Sequence, residues 1–357
     1  MALTEQSKPL SRTADGRGEK RYLLDNERFL GMALLLPAVI YIILLVGVPF
    51  VLAIAYSFSD VTIGDRSLDF VGLDTWERVI NDPVFQTSLY NNFRFTFIAQ
   101  FLVTTLSIIL ALMLAQDFPG KWLLRFLILL PWVTPIALGS VGWLYMLDTI
   151  YSPFDYALRE VGLLANVEDK GAPVREVTNG LQSIGLIDEG DDTALKLNCQ
   201  MRGDREICFF NMQWLGQTDT ALGSVIAVHV WRMLPLSTII VLAGLSSIPK
   251  DIKDAVMVDG VGAVREFFEV TLPLIAPITG IATLFGLIYT FTDIIVIAIL
   301  TKGNPANETQ VLPYWAYLKG IQGTNLAEGA AIALFMFPFL LVIAVGVLTL
   351  IRRREVV

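Results

Sequence analysis

The sequence predicts an all-α membrane protein of six spans. Two observations carry that prediction: a composition too apolar for a soluble domain, and six apolar runs long enough to cross a bilayer. Of 357 residues, 54% are hydrophobic and only 17% charged. Spanning a hydrocarbon core takes roughly twenty apolar residues in a helix. The runs lie near Phe29–Phe58, Tyr90–Ala115, Leu123–Leu147, Ala221–Leu245, Leu274–Leu300 and Gly329–Ile351. Pro37, Pro49, Pro131, Pro135, Pro235, Pro277 and Pro338 fall inside them. Spanning helices accept proline where neighbouring helices re-satisfy the freed backbone groups, so these runs predict a packed bundle.

The chain then divides as follows. Residues 1–28 form an N-terminal tail and 29–351 the membrane domain, with an insertion at 165–211 and a polar connection at 248–273. Residues 352–357 form a C-terminal tail. The first run is too long for a signal-peptide core, and no small-residue cleavage site follows it. Basic residues set the orientation. The N-terminal tail, the turn at Lys121 and Arg125, the connection with Lys250, Lys253 and Arg265, and the end at Arg352–Arg354 together hold fourteen. The two short loops on the opposite side hold four: Arg66, Arg78, Lys302 and Lys319. Both termini and the polar connection are therefore expected on the cytoplasmic side.

The insertion is expected outside. It belongs to a segment, Asp148 to Asp219, with thirteen acids against six bases, which accounts for most of the net charge of −8. The acidity thus marks one outer patch and gives no support to nucleic-acid binding. Cys199 and Cys208 flank a Gly203–Asp204 turn signal. They predict either a disulfide across a hairpin in an oxidising compartment or two unpaired thiols.

The stretch "GLSSIPKDIKDAVMVDGVGAVREFFEVTLPLIAP" sits between the fourth and fifth runs. Ser246 or Ser247 is placed to cap a helix with Pro249 in its first turn. Asp251 and Asp254 suit its N-terminal dipole, and Gly260 suits its left-handed end. A second helix follows through "REFFEV". Val256, Phe267 and Phe268 then form apolar surface at the membrane face, which suits docking to another protein.

This stretch resembles the EAA loop of ABC-importer membrane subunits. The pattern falls on Asp254, Ala255, Val256, Gly260, Val270, Leu272 and Pro273, with Asp259 beside the glycine. All spacings are kept; Asp replaces Glu, Val256 replaces the second Ala, and Val270 replaces Ile. "YSPFDYALREVGLL", "WLGQTDTALGSVIAVHVWRMLPLSTIIVLAGLSSIP" and "LTKGNPANETQVLPYWAYLKG" extend the resemblance to maltose- and glycerol-phosphate-type carbohydrate permeases. It covers roughly Phe29 to Arg354, apart from about Ala165 to Asn211. The resemblance implies a type I ABC importer permease fold in the cytoplasmic membrane of a bacterium or archaeon. It implies a second permease subunit, two cytoplasmic ATPase subunits, and an extracytoplasmic solute-binding protein or lipoprotein that delivers a small carbohydrate. ATP and Mg would sit on the ATPases, with no cofactor on this chain. No phosphate-binding G-x-x-x-x-G-K-[ST] motif is present; Gly120-Lys121-Trp122 lacks the upstream glycine and the hydroxyl residue. The chain is therefore not expected to be an enzyme.

Ionisable groups inside a bilayer are costly and mark function by default. His229, Arg232, Met233 and Leu236 share one helical face of the fourth run. Gly286, Tyr289, Thr290 and Asp293 repeat the spacing on the fifth. Facing each other, they would either line a polar cavity for sugar hydroxyls, with Tyr289 packing on a ring, or join Arg232 to Asp293 in an ion pair that holds the bundle together. The resemblance favours the cavity, because the face around Trp231 and Pro235 lines the substrate path in such permeases. Arg94, near an outer helix end, is expected to snorkel. An anionic polyol such as glycerol phosphate is the second expectation, with Arg232 as anion partner. An ion-coupled carrier relaying protons through Asp293 and His229 conflicts with the docking stretch. A sensor or enzyme built on the insertion lacks any metal-ligand or nucleophile–base set.

Overall fold

The structure is a computed structural model that describes residues 27–65, 67–161, 164, 166–167, 195–202 and 205–355. The expectations placed on the tail 1–26 and on the Gly203–Asp204 turn lie outside those residues. So do the side chains of Cys199 and Cys208.

The chain divides into two compact units, residues 1–52 and 53–357. In the first, α1 (Glu27–Ile42) runs through a wide turn at Ile43–Gly47 into α2 (Val48–Ser57). These residues make one apolar helix of spanning length, 27 residues from Gly31 to Ser57.

The second unit is a helical bundle. A short helix, α3 (Asp74–Ile80), precedes α4 (Pro83–Ala115), which has 33 residues and starts seven before the apolar run. The Asp82 side chain accepts from Val84 N at 2.9 Å, and Pro83 follows it. That cap fixes the start, while polar early turns hide it from hydropathy. The third run is not one straight helix. It is α5 (Lys121–Val133) and α6 (Ile136–Met146), bent by 97°. Thr134 and Pro135 take extended backbone between them, because the residue before a proline is driven out of the helical region.

An amphipathic α7 (Pro153–Glu160), capped by Ser152, comes next. Three antiparallel strands follow, β1 (Asn166–Val167), β2 (Leu195–Arg202) and β3 (Arg205–Met212), in the order β1-β3-β2. The β2–β3 register sets Cys199 opposite Cys208. The sheet is latched to α7 by Asp155, whose carboxylate accepts from Met212 N at 3.0 Å and Trp214 Nε1 at 2.8 Å. Arg159 adds a donor to Asn211. Burial pushes the Asp155 carboxyl up to about 6, against the pull of those donors and of Arg159.

The bundle's centre is α4 against α8 (Thr218–Ser246), with α11 (Leu272–Phe291) packed on both. Phe95, Ala99, Val103, Val225 and Met233 fill one buried cluster, and Ala111, Leu114, Val241 and Ile275 another. Short polar bonds stitch the helices: Ser237 Oγ donates to Ser107 Oγ at 3.0 Å, and the Thr104 and Thr283 hydroxyls meet at 3.3 Å. Such bonds are worth about 0.6 kcal/mol each in a bilayer. The chain closes with α12 (Ile295–Leu300), α13 (Leu312–Tyr317) and α14 (Leu326–Glu355). At one end Lys319 pairs with Asp82 at 3.1 Å and Glu328 at 3.2 Å, so two bases counted for orientation, Arg78 and Lys319, also tie helices together. Burial depresses the Lys319 ammonium, but the two carboxylates outweigh it and the net shift is upward.

Candidate functional site

Two regions carry the residues singled out by sequence. The first is the helix pair α8 and α11, and the structure brings their polar faces together. His229 is fully buried on α8. Its Nδ1 lies 2.8 Å from Asp293 Oδ2, and its Nε2 lies 2.9 Å from Thr290 Oγ1. The carboxylate only accepts, so Nδ1 carries the proton between them. Thr290 Oγ1 also lies 2.7 Å from Gly286 O, which gives its own proton two acceptors to choose between. Arg232 Nη1 reaches the same Oδ2 at 3.4 Å.

Asp293 owes its position to a break that the apolar run conceals. The fifth run is not continuous: α11 stops at Phe291 and α12 starts at Ile295. Asp293 sits in the gap, and its Oδ1 accepts from Ile295 N at 2.9 Å and Val296 N at 3.4 Å. Free backbone donors inside a membrane must be satisfied internally, and this carboxylate does so. One oxygen therefore caps α12 while the other holds His229 and Arg232. Both are committed to the protein.

This settles which of the eight residues present surface. His229, Met233, Gly286, Thr290 and Asp293 are buried. Gly286 is tight against α4, where an added Cβ would fall 2.1 Å from Gln100 Oε1. The two faces meet as packed core, so the open cavity expected between them is filled. The reason is length of side chain: imidazole and carboxylate reach each other directly across the helix pair. Arg232 and Leu236 stay half-buried, and Tyr289 is 47% exposed. Trp132 on α5 stands edge-on to Tyr289 with centroids 6.3 Å apart. Trp231, half-buried beside Arg232, meets Trp143 at 5.5 Å. Arg94 is exposed, as a snorkelling side chain would be.

Sequence reasoning missed two features here. Trp132 lay unremarked in an apolar run. Asn92, Thr96 and Gln100 are buried on α4 at helical spacing, and each leaves a side-chain oxygen without a partner among the described residues. Polar residues at i, i+4 and i+8 in an apolar run were the available signal.

The second region is the connection between α8 and α11. It folds as expected into helix, glycine turn and helix. α9 (Lys250–Val258) ends at Gly260, which adopts φ +66°, and α10 (Ala263–Glu266) continues through a wide turn at Phe267–Thr271 into α11. Leu272 and Pro273 open α11, where proline costs no backbone bond. Two details differ. Ser246 and Ser247 do not cap α9: their hydroxyls bond back to Leu242 O and Gly244 O, and Pro249 holds the cap position. Val256 turns inward and is buried; Met257 (69% exposed), Val258 (86%) and Phe268 (60%) form the apolar surface instead. Asp254, Ala255 and Asp259 are exposed.

Among the described residues, five helices are long and apolar enough to cross a membrane, and the helical knob lies between two of them. Residues 103–356 match the family model of the binding-protein-dependent transport system inner membrane component, and the chain belongs to that family. It is thus a multi-pass inner-membrane permease of the ABC type. Among its relatives is the sulfoquinovosyl glycerol transport system permease of Agrobacterium fabrum, 24% identical over 94% of each chain. Another is the trehalose/maltose transport system permease of Thermococcus litoralis, 26% identical over 92% of this chain and 96% of that one. The fold matches a chain of a bacterial ABC transporter involved in alginate import, with a TM-score of 0.69, 19% identity, and coverage of 92% and 97%.

Proposed function

We propose that this permease imports a carbohydrate delivered by an extracytoplasmic binding protein or lipoprotein. It acts with a second permease and two ATPases that carry the ATP and Mg. The observation that carries the reading is the surface left around the ion pair. Tyr289, one turn before Asp293, and Trp132 offer aromatic surface, and Arg232, paired with that carboxylate, offers donors. Aromatic surface with a few fixed polar groups suits sugar rings and their hydroxyls. Arg232 and Asp293 balance in charge, so a neutral sugar meets no uncompensated ion. The relatives named for saccharide transport support the same class.

Arg232 also favours a second reading, an anionic saccharide or polyol. Its guanidinium is partly exposed, with donors beyond the one aimed at Asp293. On the cytoplasmic side, Met257, Val258 and Phe268 fit an apolar groove on an ATPase, with Asp254, Ala255, Asp259 and Gly260 shaping the contact. In this arrangement both termini lie in the cytoplasm, and the sheet at 166–212 lies outside with Cys199 bonded to Cys208.

Reconstitution tests the proposal. The complete complex in proteoliposomes, with its binding protein and labelled sugar, is expected to accumulate sugar only with internal ATP. Tyr289→Ala is expected to cut uptake at least tenfold with assembly intact. Uptake driven by a proton gradient without ATP would overturn the reading in favour of a carrier.

A further inference from the structure

A second recess lies apart from the α8–α11 face, where α6, α7 and the start of α8 converge. Its volume is about 440 Å3, within the range that holds small ligands. Trp143, Phe154 and Trp214 wall it, and Asp219, Gly223 and Ala227 form its open side. The three rings are fixed. Trp143 stacks on Phe154 at 5.9 Å and 7°, and Phe154 meets Trp214 at 6.1 Å and 64°. The Trp214 indole is pinned by its bond to Asp155.

Beside the Trp143 indole N–H, the polar side chains of this recess offer acceptors. Thr220 Oγ1 donates to Gln213 O and Ser224 Oγ donates to Trp214 O, which leaves both hydroxyls only lone pairs to offer. Asp219 makes no hydrogen bond or ion pair among the described residues and stays exposed at the mouth. Rigid aromatic walls beside a set of acceptors suit a ligand with an apolar face and several O–H donors, which describes a sugar ring. The recess continues along α8. Asp219, Gly223, Ala227 and Trp231 follow one another at four-residue steps on a single face of α8. Trp231, at the end of that row, meets Trp143.

We propose that the recess walled by Trp143, Phe154 and Trp214 is an outer sugar-binding subsite that receives a pyranose ring before it reaches Tyr289 and Arg232. The assignment rests on the carbohydrate reading above for its ligand class. Rings stack there on their C–H faces while Asp219, Thr220 and Ser224 take hydroxyl protons. Gly223 lines the recess and has open space where a Cβ would project, so a leucine there is chosen to occupy it.

The test uses the intact complex in nanodiscs and reads tryptophan fluorescence during titration with maltose, trehalose and, separately, tetramethylammonium. Either sugar is expected to give a saturable change. Gly223→Leu and Asp219→Asn are each expected to weaken it at least tenfold. A Gly223→Leu complex that binds both sugars as the wild type does would overturn the subsite. So would a wild type that responds to neither sugar, or responds only to tetramethylammonium, the mark of an aromatic cation site. Uptake measured in parallel separates the two ideas. Import with no recess-dependent signal removes the subsite alone; a recess-dependent signal without ATP-driven import removes the carbohydrate-importer reading alone.

Discussion

The α8–α11 contact and the α9–α10 knob hold residues of similar cost and treat them in opposite ways. In the contact, three ionisable side chains lie inside the bundle, and His229 and Asp293 find every partner within the chain. In the knob, Met257, Val258 and Phe268 are apolar and left in the open. Inside a membrane an unpaired charge is prohibitive, so the contact had to be completed by the chain itself. At a membrane surface an exposed apolar patch is tolerable, and it marks a face that another protein completes. The difference separates what this subunit finishes alone from what it leaves open at its surface.

The largest effect on that contrast comes from removing the shared carboxylate. Asp293→Ala strips Arg232 of its counter-ion, frees His229 Nδ1 and uncaps α12. Breaking a buried pair from one side costs about 3–5 kcal/mol. A marked fall in the melting temperature of the detergent-solubilised subunit is the expected result, with Asp293→Asn falling less. The knob answers differently. Gly260→Val forces a β-branched residue to φ +66°. That costs about 1–2 kcal/mol locally, a backbone strain at a position where nothing stands within 4 Å of the added Cβ. ATPase stimulation by loaded binding protein should fall far more than stability does. Tyr289→Ala is smaller still in stability, near zero, because the ring is half in the open; its effect should appear in uptake.

How far these regions were legible in sequence follows the same division. The knob was legible in outline, because a helix broken by a left-handed glycine is a local property. Only the inward turn of Val256 and the back-bonding of Ser246 and Ser247 escaped, and both depend on packing against neighbours. The contact was legible as a pairing of faces, since helical spacing carried it. Its filled interior was not, because periodicity says nothing of how far two side chains reach toward each other. The breaks at Thr134–Pro135 and Thr292–Ile294 escaped for another reason. Hydropathy reads a bent span and a straight one alike.

A third region sharpens the comparison by a subtler route. Asp155 latches the three-stranded sheet as Asp293 closes the bundle, yet burial raises its carboxyl to about 6 from 3.8. The folded state therefore holds the proton more tightly than the unfolded one. Stability from this group is full below 3.8, falls as pH rises toward 6, and is flat beyond. Protection of the Met212 amide, corrected for intrinsic exchange, should decline modestly across that window in the wild type. Asp155→Asn should lose the slope; a slope retained in that variant would assign it to another group.

The central claim is that the exposed apolar face of the knob transmits ATP-driven motion into a self-completed bundle. A Met257→Ser, Phe268→Ser double variant tests it most directly, through ATP hydrolysis and uptake by the reconstituted complex alongside the subunit's melting temperature. The account predicts an unchanged melting temperature with substrate-stimulated hydrolysis and uptake both reduced at least tenfold. Normal stimulation and uptake in that variant would contradict it.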